Sequence, residues 1–72
     1  MQRDLSRLLR EAWADAREGD IVVRIHLFGI DHADELGGVD LKALAGLAGI
    51  PTTYATEIRK GMRLADYVKR IG

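Results

Sequence analysis

An all-α fold, a small bundle of four or five helices, is what this 72-residue chain predicts. Apolar residues recur at helical spacing in most of the chain, glycines and the single proline fall between the periodic segments, and only one stretch alternates as a strand would. That stretch has no second strand to pair with elsewhere in the sequence.

The first helix spans about residues 4–17. Leu5, Leu8, Leu9, Ala12, Trp13 and Ala16 form an i, i+3, i+4, i+7, i+8, i+11 series, one face of an amphipathic helix. Its outer side mixes Arg7 with Glu11 and Arg10 with Glu18, which describes a solvated surface. Trp13 is the largest apolar group and should anchor this helix against a neighbour, in its own chain or in another. Gly19 ends the helix, and Asp20 is a candidate N-cap for the next.

Residues 20–36 admit two descriptions. Val23-Arg24-Ile25-His26-Leu27 alternates and is rich in β-branched side chains, as in a half-buried strand. Wound as a helix, the segment gathers Arg24, Asp31 and Glu35 on a narrow polar strip and spreads Ile21, Val22, Ile25, Phe28, Ala33 and Leu36 over the rest. A central buried helix at about 20–36 is the favoured expectation. The alternative is an intermolecular strand over residues 21–28, paired with its own copy across a two-fold axis.

Gly37-Gly38 marks a break, and Asp40 is placed to cap a helix over residues 41–48. At Gly49 the chain must leave that helix through a left-handed conformation, which costs glycine least. Pro51 then suits the first turn of a second helix running to about residue 60, and Gly61 is expected to end it. Between the two helices, Ala45 allows a close approach at a steep crossing, with Leu44, Ile50, Ala55 and Ile58 facing the shared interior. Leu64, Tyr67, Val68 and Ile71 predict a last short helix at about 63–71. With no internal repeat or long linker, residues 1–72 are expected to form a single domain.

The pattern over residues 41–61 resembles the helix-turn-helix DNA-binding motif, and the run YATEIRKGMRLADYV is similar to the second helix and its exit in Cro/repressor-like domains. The resemblance implies that the second helix enters a major groove, with Thr52, Thr53 and Glu57 reading bases and Tyr54 and Thr56 near the backbone. Threonine bonds to several bases or packs its methyl on thymine, and glutamate accepts from a cytosine amino group. Lys42, Arg59, Lys60 and Arg63 would then meet phosphates. A plainer assignment stands beside this one: Thr52 and Thr53 as caps, Tyr54 as packing, and the cations as solubilising surface. Glu57 on the reading side and Pro51 in place of a hydroxyl residue both weaken the interface of a single chain, which favours a homodimer with reading helices in successive grooves about 34 Å apart. The seam would be the stripe over residues 5–16 or the apolar surface of residues 21–30.

Charge supports the same half of the molecule. The net charge is zero, yet residues 1–40 carry five arginines against nine acids and residues 41–72 carry six cations against Glu57 and Asp66. Such asymmetry marks an interaction face, although helix C-termini also attract cations through the macrodipole. Cysteine is absent, and no apolar run approaches the roughly 20 residues of a membrane span. The expectation is therefore a cytoplasmic protein that does not engage membranes. His26 and His32 lie six apart, on different faces of a helix, and share no metal; Ser6 has no nucleophile context and no glycine loop cradles phosphate. Neither catalysis nor a cofactor or small-molecule ligand is expected. The sequence thus points first to double-stranded DNA as partner, bound sequence-specifically by a homodimeric regulator of transcription. The other candidate is a non-catalytic protein–protein interaction module on the same fold.

Overall fold

Apolar stripes from separate helices close on one core, in which Leu9, Ile25, Leu36, Ala45 and Ile58 are completely buried. The computed structural model describes residues 4–68. Among these are five α-helices, α1 (Leu5–Asp15), α2 (Ile21–Asp31), α3 (Ala33–Leu36), α4 (Leu41–Ala48) and α5 (Ala55–Leu64), a 3₁₀ turn at Thr52–Tyr54, and no strand. Each large side chain so buried contributes about 1.5–3 kcal/mol. The five completely buried residues come one from each of the five helices, so the core exists only when the whole bundle has formed.

Asp4 starts α1 by accepting from the Arg7 backbone N–H at 3.1 Å and from the Ser6 hydroxyl at 2.7 Å. The hydroxyl first and then the N–H hold its carboxyl below the usual range. The helix stops at Asp15, short of the expected residue 17. Its Leu9 is sealed inside the core with Leu5, Leu8, Ala12 and Trp13 packed around it, so this stripe covers its own chain. Arg10 and Glu18 are both exposed, as expected of a solvated face, but Arg10 also has a partner on another helix. It reaches across to α4 and donates to the Ala48 carbonyl at 3.3 Å, where a cation meets the negative end of that helix.

Residues 21–28 are helical, which removes the strand alternative. The segment is not one helix from 20 to 36, however. His32 leaves helical geometry at φ −118°, its ring set 5.0 Å from that of Phe28, and α3 resumes beyond it. His32 still accepts a backbone bond from Leu36, whose side chain is carried into the core. Asp20 precedes α2 without a capping bond from its side chain, its carbonyl alone accepting from the Arg24 N–H.

The bend between α4 and α5 has an identifiable backbone signature. Asp40 accepts from the Ala43 N–H at 3.1 Å and opens α4. Gly49 closes it at φ +76°, with Gly49 N–H bonded to the Gly46 carbonyl and Ile50 N–H to the Ala45 carbonyl, both at 3.1 Å. That pairing is a Schellman motif, and buried Ile50 supplies its apolar contact. Pro51 is extended at ψ +133°, so the next element opens as a 3₁₀ turn and becomes α-helical only at Ala55.

Gly61 does not end the last helix. It is buried in the middle of α5, against Gly29 of α2. A Cβ on Gly29 would lie 2.5 Å from the Ile58 carbonyl oxygen and 2.9 Å from the Gly61 Cα, and one on Gly61 would strike the His26 carbonyl. The helices therefore meet backbone to backbone, and only glycine fits on either side. Helix α5 runs on to Leu64 and residues 65–67 turn. The rest of the helix expected at about 63–71, from residue 69 on, lies outside the described residues.

Candidate nucleic-acid interface

Helix α5 presents two sides. Ala55, Ile58 and Gly61 point into the molecule, whereas Thr56, Arg59, Lys60 and Arg63, at i, i+3, i+4 and i+7, share the solvent side. Thr52 and Thr53 are exposed in the 3₁₀ turn that leads into this helix. Their exposure follows from Pro51, whose extended backbone delivers the chain to the outer end of α5 after the Gly49 bend. Two threonines, a third one turn on, and three cations thus lie along one element. Lys42 is exposed on α4, apart from that set.

Tyr54 is half-buried, its ring edge-on to Trp13 of α1 with centroids 5.0 Å apart and planes at 83°. Trp13 therefore anchors α1 within its own chain, on the turn that carries the threonines. Such a pair contributes about 0.5–1.5 kcal/mol beyond its buried area. Arg10 on α4 and Trp13 on Tyr54 together brace the two flanks of the bend from one helix outside it.

Glu57 is held differently from the free carboxylate expected on a reading edge. Its side chain is only 21% exposed, Oε1 accepts from His26 Nε2–H at 2.8 Å and Oε2 from Lys60 Nζ at 3.4 Å. The His26 hydrogen bond is the main reason that the carboxyl sits below its ordinary range; burial opposes it, and Lys60 lowers it further. An ionised carboxylate accepts only, so the imidazole carries its proton on Nε2. His26 is partly buried and shares no metal with His32; its partner is the Glu57 carboxylate. The pairing had no local signal, because it depends on α2 lying against α5. His32 bonds elsewhere, through Nδ1 to Glu35 Oε1 at 3.1 Å.

Beyond the middle of α5, His26, Lys60, Arg63, Leu64 and Tyr67 line an open hollow of about 350 Å³. No helix among the described residues is long and apolar enough to cross a membrane. The 3₁₀ turn and α5 together can offer hydroxyls and cations to a polyanion, and a fixed carboxylate to a hydrogen-bond donor upon it.

Comparison with curated proteins gives no match, and neither does comparison with solved structures. A family described as an HTH-like domain matches residues 1–71. Domains of this helix-turn-helix class point in general terms to DNA binding or regulation, and all-α members of the kind are typically not enzymes. With the bend at Gly49, the helix it delivers, and a match over nearly the full length in agreement, this chain belongs to the HTH-like domain family.

Proposed function

We propose that this chain binds double-stranded DNA sequence-specifically through the start and outer side of α5, and that it regulates transcription in the cytoplasm as a homodimer. The observation that carries the reading is the exposed run of Thr52, Thr53 and Thr56 ahead of Arg59, Lys60 and Arg63 on an element that projects from a tight bend. Thr52 and Thr53 address base edges, and Lys42, Thr56, Arg59, Lys60 and Arg63 address phosphates. Tyr54 meets the backbone through its hydroxyl while its ring stays on Trp13. Glu57 accepts from a base amino group with the lone pairs that His26 and Lys60 leave free.

Of the two seams expected for a dimer, the stripe over residues 5–16 is spent on the core. Val22 at 42% and Val23 at 53% exposure leave apolar surface on α2, which favours the seam over residues 21–30. The same exposed valines, with Leu64 and Tyr67, are what favours the second reading, a module that binds a protein without DNA.

Titration of the labelled chain with mixed-sequence duplex at two salt concentrations separates the readings. DNA binding requires amide shifts centred on residues 52–63 that weaken steeply as salt rises. The double variant Arg59→Gln/Arg63→Gln, which leaves the Lys60 contact to Glu57 in place, should lose affinity for all duplexes alike and reduce the salt slope by about two. Shifts absent throughout, or an unchanged slope in the double variant, would overturn the proposal.

A further inference from the structure

His26 lies on α2, outside the bend and both helices that flank it, yet its Nε2 is 2.8 Å from Glu57 Oε1 on the element proposed to read DNA. Its placement follows from the glycine contact. Gly29 and Gly61 fix α2 against α5 with no room for sliding, and one turn back along each helix stand His26 and Glu57. Val22, a further turn back, sits beside Thr53 and Glu57 in the same groove, so the two helices run side by side in the same direction there. The imidazole is 28% exposed and the carboxylate 21%, which makes this a half-sheltered pair and not a solvated one.

A glutamate standing free on a groove-facing helix would be a mobile negative charge near phosphates. Held between His26 and Lys60, its charge is offset and its oxygens are oriented before any ligand arrives. Much of the cost of ordering that side chain is then met in the free protein. Each oxygen keeps acceptor capacity after its single bond, and the capacity faces a fixed direction.

We propose that His26 is a positioning residue for base recognition: by gripping Glu57 it fixes the point at which the carboxylate can accept from a cytosine or adenine amino group, and so sets sequence preference from outside the reading helix. The proposal rests on the duplex-binding reading above.

The test compares the wild-type chain with His26→Ala, His26→Gln, Glu57→Gln and the double variant His26→Ala/Glu57→Gln, each measured for preference against a randomised duplex pool and for thermal stability. Discrimination at one base-pair position should fall about tenfold in His26→Ala and at the same position in Glu57→Gln, with no further fall in the double variant. His26→Gln, which keeps a side-chain N–H donor, should restore most of that discrimination at matched stability. A merely structural His26 would give a different pattern: affinity lost equally for all duplexes, preference unchanged, and no rescue by glutamine. That outcome overturns the proposal and leaves duplex binding standing. A wild-type chain that binds no duplex overturns both. In that event the Glu57 carboxyl titration by NMR still reports on the pair, rising in His26→Ala if the contact exists in solution.

Discussion

Helix α5 is held from two sides by unlike means. Toward α4 the contact is made between chain neighbours, through a shared core that holds fully buried Ala45 and Ile58 on the two sides of a bend that Gly49 permits. Toward α2 it is made between segments about 30 residues apart, by two glycines in backbone contact and by His26 on Glu57. The first contact sets the angle at which the helix leaves the bend. The second determines how far the helix is inserted and which of its side chains are spoken for. A change at the bend should therefore tilt the threonine edge, while a change at the α2 seam should unseat it.

The largest effect is expected at the seam. Gly61→Ala or Gly29→Ala drives a methyl into backbone that cannot give way, so destabilisation should reach the upper end of overpacking costs, about 3 kcal/mol or more. In a domain of this size each kcal/mol moves the melting temperature by about 4–8 °C, which thermal denaturation resolves. Gly46→Ala is the control. It is exposed on α4 with nothing within 4 Å of an added Cβ, and the variant should gain roughly 0.5–1 kcal/mol. Equal losses at positions 46 and 61 would remove the distinction between a packed and an idle glycine.

A smaller effect belongs to the bend. Gly49→Ala places a side chain at φ +76° and should cost about 1–2 kcal/mol through the backbone alone. The crowding there comes from the Arg10 guanidinium, at 2.8 Å, which can swing aside. Chemical shifts should move in residues 49–56 and remain largely unchanged on α2. Movement of the α2 shifts instead would mean that the two contacts are not separable.

The smallest effect is electrostatic. With the Glu57 carboxyl lowered in the folded chain, the unfolded chain binds the proton more readily. Its contribution is thus complete above the ordinary carboxylate pKa near 4.3 and is lost as pH falls through the lowered folded value. Asp4 adds to the same acid slope, so the quantity to measure is the difference between wild type and Glu57→Gln in denaturation across pH 2–6. Identical slopes would show that the His26 contact contributes nothing to the fold.

What was legible in the sequence was local. Asp40 capping α4, the left-handed exit at Gly49 and the burial of Ala45, Ile50, Ala55 and Ile58 all follow from offsets of a few residues, because backbone geometry fixes them before the chain meets anything distant. Asp20, read by the same rule, precedes a helix but lends it no side-chain bond, since cap preference describes a position without guaranteeing a rotamer. Gly61 lies inside α5 and not at its end for a related reason. Glycine ends helices and also lets helices touch, and the choice depends on whether a partner backbone is present.

Periodicity, composition and turn chemistry by themselves determined that this would be an all-α bundle with a tight bend ahead of a basic helix. Only the folded molecule decided that Arg10 would close α4, that Trp13 would rest on Tyr54, and that Glu57 would be held by a histidine from α2. The division is physical. A helix and its caps are written in bonds between residues three or four apart, whereas a side chain on a helix has many possible neighbours until packing selects one. In this chain the selection is made where Gly29 meets Gly61, since that contact sets His26 against Glu57.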